Sequence, residues 1–276
     1  MTGKSDHMAA LKRIGRLEDE AIDLAEAALV LGALDKPGVT LDPYREHLAE
    51  LAPAAHQAAG DHDFLETRTA AINRLMFESH SYRGDTETYD SPENANLLDV
   101  VDRRTGLPVS IGILYIHAAR AAGLDITGLA FPGHFLLRAT DGAERIIIDP
   151  FHGGQALEAG HLRDLLKQFM GADAELTPRH HAPVGNRDIL LRLQNNIKAR
   201  ALKVNDTARA SEILERMALV APGVASVWQE LGILSVHMGN LRRAMNALEI
   251  FLDFAPSQDE EREAESLLKQ IKSSLN

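Results

Sequence analysis

The sequence predicts an α+β protein: a helical N-terminal part, a core in which a small antiparallel sheet packs on helices, and an all-α helical-repeat lobe. Three observations point there. Apolar residues recur at helical spacing through much of residues 11–77. Apolar runs punctuated by Asp141-Gly142 fill residues 126–149, and a 34-residue period runs through the C-terminal third.

Leu11, Ile14, Leu17, Ala21, Leu24, Ala25 and Ala28 lie on one helical face, which predicts a single first helix fading near Gly32. Residues 1–8 read as a leader outside the fold. Asp42-Pro43 supplies an N-cap and a proline for a second helix, whose stripe of Leu48 and Leu51 runs to Pro53. A third helix is predicted from about Asp63 to Phe77, followed by a long polar connection from Ser79 to Asn96. Gly106-Leu107-Pro108 then turns into an apolar helix, Val109 to Ala122, closed by Gly123. Strands are expected at Ile126–Phe131, His134–Ala139 and Arg145–Asp149, with both faces of the sheet covered.

From Gly185 the pattern is helical throughout. Ala210 and Ala244, Leu214 and Leu248, Pro222 and Pro256, and Ile197 and Leu231 are each 34 residues apart. Trp228-x-x-Leu231-Gly232, then Ala244, then Pro256 follows the order of the tetratricopeptide signature. Ser235 stands where that signature has Tyr, and Gln194 where the first copy should have Trp. Ser257-x-x-Glu260 is a capping box opening a final helix with Leu267, Leu268 and Ile271 on its apolar face.

Composition excludes several classes of function. Lys and Arg total 29 against 40 Asp and Glu, a net charge of −11, so counterion release gives no affinity for nucleic acid. No run of about 18 apolar residues offers a membrane span. The first twenty residues lack the apolar core of a secretory signal. The chain has no cysteine, which removes disulfides, thiolate metal ligands and thiol nucleophiles, and suits a cytoplasmic protein.

The segments 106–124 and 131–154 hold the candidate chemistry. Taking Asp141-Gly142 as a two-residue hairpin loop sets Thr140 opposite Ala143 and His134 opposite Asp149, so a carboxylate would orient an imidazole. That register also sets Arg138 opposite Arg145. Ser110 lies in the first turn after Pro108, where unpaired amides and the positive end of a helix favour a nucleophile or an oxyanion. Ser110, His134 and Asp149 thus form a candidate catalytic triad. Singly, each has a plainer role: Ser110 as a helix cap, His134 as the end of a strand, Asp149 before Pro150 as a turn former. His152, His161, His180 and His181 invite a metal reading with His134 and Asp149. Because no H-x-x-x-H or H-E-x-x-H spacing occurs among them, neither metal nor cofactor is expected. A Walker or Gly-x-Gly-x-x-Gly loop is also missing.

Four blocks together resemble the SirB family of transglutaminase-like bacterial proteins: Asn94-x-Asn96-Leu97, Gly106-Leu107-Pro108-Val109-Ser110, Phe131-Pro132-Gly133-His134-Phe135 and Asp149-Pro150-Phe151-x-Gly153-Gly154. The likeness spans about residues 40 to 270 and includes the tetratricopeptide-like tail. It implies a papain-like transglutaminase fold in which a helix-start Cys attacks an acyl carbon, a strand His is the base and a strand Asp orients it. Position by position, His134 matches the histidine, Asp149 the aspartate and Ser110 the cysteine. The hydroxyl in place of a thiol is a departure that excludes ordinary transglutaminase or cysteine-protease chemistry.

The expected division is a leader and N-terminal helix over 1–40, a transglutaminase-like domain over 41–184 and helical repeats with a capping helix over 185–276. The expected function is a non-catalytic or degenerate transglutaminase-like protein that binds a protein or peptide. The alternative is an amide or ester hydrolase, or an acyl transferase, using Ser110, His134 and Asp149.

Overall fold

Helix α1 (Lys4–Ile14) stops at Gly15, whose amide still bonds to the Leu11 carbonyl. A Cβ at Gly15 would lie 1.9 Å from the Leu219 carbonyl oxygen, so only glycine fits. The chain passes through a 3-10 turn (Asp19–Ala21) and restarts as α2 (Leu24–Ala33), capped by the Asp23 carboxylate accepting from the Glu26 amide at 3.0 Å. The single first helix expected from periodicity is therefore two. Helix α1 also begins inside the stretch read as a leader. In this computed structural model residues 3–275 are described, with side chains through Ser273, so the first two residues of that leader lie outside them.

The described residues fall into two units. One holds Glu18–Leu193 with the residues up to His7; the other holds Met8–Leu17 with Gln194 onward.

In the first unit, α3 (Asp42–Ala59) runs through Pro53 rather than ending there. Leu48, Leu51, Ala55 and Ala59 are buried on both sides of the proline, and this continuous stripe outweighs the one backbone bond that proline removes. Helix α4 (Leu65–Asn73) widens into a π-helical turn, Arg74–Ser79. The irregular segment beyond contains β1 (Arg83–Gly84), which pairs in parallel with β2 (Thr105–Gly106). Between them lies α5 (Leu97–Arg103), capped by Asn96, which accepts from the Leu98 amide and donates to the Gly32 carbonyl.

Helix α6 (Pro108–Ala121) is the central element. Its residues from Pro108 to Ile116 are all buried, and Gly123 at φ +76° follows its end. The main sheet has the order β6-β5-β4-β3-β7 and is antiparallel throughout. Its strands are β3 (Asp125–Leu129), β4 (Leu137–Asp141), β5 (Glu144–Asp149), β6 (Gln155–Leu157) and β7 (Pro183–Val184). One face meets α6: the Phe135 ring fills a slot left by Gly112 of α6 and Gly128 of β3, where a Cβ would approach the ring to 2.5 and 2.8 Å. On the other face Leu129, Leu136 and Ile147 pack with Leu162 and Leu166 of α7 (Ala159–Met170). Both faces are covered, as the apolar patterning predicts.

The hairpin register differs from the expected one. Thr140 faces Arg145, Arg138 faces Ile147 and Leu137 faces Ile148. The two-residue loop is Gly142-Ala143, not Asp141-Gly142. Gly142 carries φ +55°, the positive value that the first central position of such a loop requires. The shift also removes the Arg138–Arg145 like-charge pair. His134 consequently precedes β4 in a bend instead of lying within a strand.

The second unit contains α9 (Thr207–Val220), α10 (Ala225–His237), α11 (Leu241–Asp253) and α12 (Gln258–Leu275); the boundary with the first unit falls inside α8 (Asn186–Lys203). The residues repeating at 34 behave alike: Ala210 and Ala244 are wholly buried, and Leu214 and Leu248 nearly so. Trp228 donates its indole N–H to the Pro222 carbonyl at 2.8 Å, tying α10 to the turn before it. Half of the predicted capping box forms: the Ser257 amide donates to the Glu260 carboxylate at 3.0 Å, while the Ser257 hydroxyl donates to the same oxygen at 2.5 Å. Gln194 and Ser235, which stand in place of aromatic signature residues, are buried, and each holds an oxygen without a hydrogen-bond partner among the described residues. Buried orphans of this kind are uncommon and destabilising.

Candidate functional site

The Phe131–Phe135 and Asp149–Gly154 blocks meet at the end of the β4–β5 hairpin. Pro132-Gly133 bends the chain, with Gly133 at φ +71° and the Phe169 ring of α7 where a Cβ would stand. Arg192 pins this bend. Its Nη2 donates to the Phe131 carbonyl at 2.9 Å and to the His134 carbonyl at 2.6 Å, with the guanidinium over the Phe135 ring. After β5, Asp149 folds the chain back: its carboxylate accepts from the Phe151 amide at 2.9 Å, and its carbonyl accepts from the Gly154 amide. Asn73 Nδ2 donates to the Gly154 carbonyl and Tyr115 donates to Asn73 Oδ1, both at 2.8 Å, fixing the far end of the turn. The Phe151 ring packs against Gly84 of β1, which has no side chain to obstruct it.

These turns bring His134 to Asp149. His134 Nε2 lies 2.9 Å from each carboxylate oxygen, and both side chains are buried. His152 approaches the same carboxylate, with Nδ1 2.8 Å from Oδ2 and a half-exposed side chain. Burial works to raise the Asp149 pKa, but the hydrogen bonds and charges of His134 and His152 outweigh it and hold the carboxyl below its ordinary value. An ionised carboxylate only accepts, so His134 donates to it through Nε2. Phe151 meets the His134 ring edge-on and Phe169 stacks against it.

Ser110 has a different partner. It is the third residue of α6, fully buried, and its hydroxyl donates to the Asn94 carbonyl at 2.7 Å. Leu107, not Ser110, occupies the cap position, so the capping role expected of Ser110 is not the one it fills. The same Asn94 carbonyl accepts from the Leu107 amide. The Asn94 side chain donates to Asp85 and to the Thr88 carbonyl and accepts from Arg103 at 3.1 Å. Asp85 is buried; burial pushes its carboxyl up, yet bonds from Thr88, Asn94 and Glu87 outweigh this and hold it well below the usual carboxylate range. Ser110 belongs to this polar knot, which seats the start of α6. Among the described residues no hydrogen bond joins Ser110 to His134.

The sequence offers His152 only among scattered histidines. The signal for its role is local: Asp149-Pro150-Phe151-His152 is a turn, and a side chain three residues beyond an Asp that folds the chain back can return to its carboxylate. His161 and His180 instead accept from backbone amides at 3.2 Å at the starts of their own helices.

A small antiparallel sheet packed on helices, followed by a helical-repeat unit, is consistent with a transglutaminase-like core and tetratricopeptide-like helices. A model of the transglutaminase-like superfamily matches residues 42–195, more than half of the chain, and the chain belongs to that superfamily. A tetratricopeptide repeat model matches residues 197–271. The chain is 27% identical over 250 residues to a UPF0162 protein of Xylella fastidiosa strain Temecula1, covering 88% of each. It is also 27% identical over 239 residues to a UPF0162 protein of Vibrio cholerae, covering 86% of this chain and 88% of that one. A shorter match, 34% over 110 residues, links 37% of this chain to 18% of mouse F-box only protein 21.

Proposed function

We propose that the protein is a non-catalytic member of the transglutaminase-like superfamily that binds a protein or peptide through its helical-repeat unit. The observation that carries this reading is the engagement of Ser110. The residue that takes the place of a nucleophilic thiol is buried, and its hydroxyl serves the Asn94 carbonyl. With no cysteine in the chain, no thiol nucleophile is available. Tetratricopeptide repeats supply the binding half of the reading, since stacked helix pairs form the extended faces on which such proteins hold peptides.

A cytoplasmic setting and kinship with the SirB proteins in particular belong to the same proposal. The lack of cysteine supports the first, and the four sequence blocks support the second. No helix of the described residues is long and apolar enough to cross a membrane.

A second reading, a serine hydrolase or acyl transferase, is favoured by one observation: the His134–Asp149 pair has the orientation a general base needs. Pull-down from a bacterial lysate separates the two. The full chain and a chain lacking residues 197–271, checked for cooperative melting, are compared by mass spectrometry. Partners lost with the repeats support the binding reading, and a profile indifferent to their removal refutes it.

A further inference from the structure

We propose that His134, Asp149 and His152 form a site for a divalent transition-metal ion of the zinc class. Two imidazoles and one carboxylate present three ligand atoms that all lie within 4.8 Å of one another. The two imidazole–carboxylate pairs stand 2.8 and 2.9 Å apart, and the two imidazole nitrogens lie within 4.8 Å of each other. Bonds of about 2.0–2.2 Å to a tetrahedral zinc separate its donors by roughly 3.3–3.6 Å, so each imidazole–carboxylate pair needs to open by only about half an ångström.

The donor set selects the ion. Two neutral nitrogens and one oxygen suit zinc, cobalt or iron(II), whereas calcium and magnesium take oxygen ligands almost exclusively. Three protein ligands leave at least one position open, the count found where zinc holds water or substrate. Half-exposed His152 is the ligand nearest to solvent and marks the side from which an ion would enter.

The ligands are also held from behind, as metal ligands usually are. The Phe151 amide fixes Asp149 Oδ1 at 2.9 Å, and Arg192 fixes the His134 carbonyl at 2.6 Å. Phe151 and Phe169 wall the His134 ring and lower the local polarity. Protons balance simply. Each imidazole moves its proton from the ligating nitrogen to the other ring nitrogen, so no net proton is lost from a neutral ring, and the dication meets the Asp149 carboxylate.

The test uses the metal-stripped full chain. Zinc chloride is titrated by calorimetry, and cobalt(II) binding is followed by its visible absorption. The expected result is one ion per chain, a cobalt spectrum of four- or five-coordinate type, and a melting temperature that rises with zinc. His152→Ala, at a half-exposed position, should still fold, with a somewhat lower metal-free melting temperature from the lost bond to Asp149, and should bind zinc at least about a hundredfold more weakly, beyond what loss of an outer partner costs. His134→Gln should show the same loss. Absence of one-to-one binding, or binding that both substitutions leave unchanged, overturns the site and leaves a hydrogen-bonded His–Asp–His cluster. Neither result bears on peptide binding by the repeats, so the two proposals fail separately.

Discussion

Ser110 donates its hydroxyl hydrogen to the Asn94 carbonyl across 2.7 Å, joining the first turn of the central helix to the polar loop sixteen residues earlier. The helix start that could activate a nucleophile is thus used as an anchor. Asn94 in turn gathers Asp85, Thr88, Leu107 and Arg103, and these bonds add to the short β1–β2 pairing in ordering the segment from Ser79 to Asn96.

Ser110→Ala should therefore act on stability. One buried bond is lost, but the Asn94 carbonyl keeps the Leu107 amide, so the expected cost is about 1 kcal/mol. Urea unfolding of the two proteins, with equal m-values, measures it.

Asp85→Asn should be costlier. The carboxylate accepts from two backbone amides, the Thr88 hydroxyl and Asn94, and Arg103 lies 3.5 Å away. An amide reproduces only part of this set, and a loss of about 2–4 kcal/mol is expected. Because folding depresses the Asp85 pKa, its contribution is complete above the unfolded value and fades as pH falls toward the folded one. Melting curves from pH 7 down to pH 3 should show the parent losing more stability than the variant.

His47 predicts a second pH effect of the same sign in a higher window. Burial first, then the charges of Arg104, His80 and His117, lower its pKa to about 4. It stays neutral in the folded state while the unfolded chain takes up a proton, so stability falls between about pH 6.5 and 4. His47→Gln should flatten that part of the curve. An equal slope in both proteins would assign the effect elsewhere.

Arg192→Ala removes both donors from the Phe131 and His134 carbonyls. A loss of about 2–3 kcal/mol is expected, concentrated in the bend that carries His134. Hydrogen exchange should speed up at residues 131–136 before it does in α6.

Much of this architecture is legible in sequence because it rests on periodicity and on glycine. The central helix, the three main strands and the 34-residue repeat follow from those signals. The misses have physical causes. Periodicity is blind to the break at Gly15, which comes from close approach of the Leu219 carbonyl, and to Pro53, which the buried stripe of α3 overrides. A one-place shift of the hairpin loop moved His134 out of its strand, yet the pair with Asp149 forms because the bend is held by Arg192 and not by the ladder. Short strands such as Pro183–Val184 have too few residues to register, whereas α7 carries a legible helical stripe in Leu162, Leu165, Leu166 and Phe169. The direction of the Ser110 hydroxyl depends on a loop folded by long-range contacts, which no local pattern encodes.

The most direct measurement is covalent. The folded full chain is treated with a fluorophosphonate and, separately, with an activated ester, and the intact mass is recorded beside a control serine hydrolase. An unmodified chain under conditions that saturate the control is the predicted result. A stoichiometric adduct mapped to Ser110, and absent from Ser110→Ala, would contradict the account and restore the hydroxyl as a nucleophile.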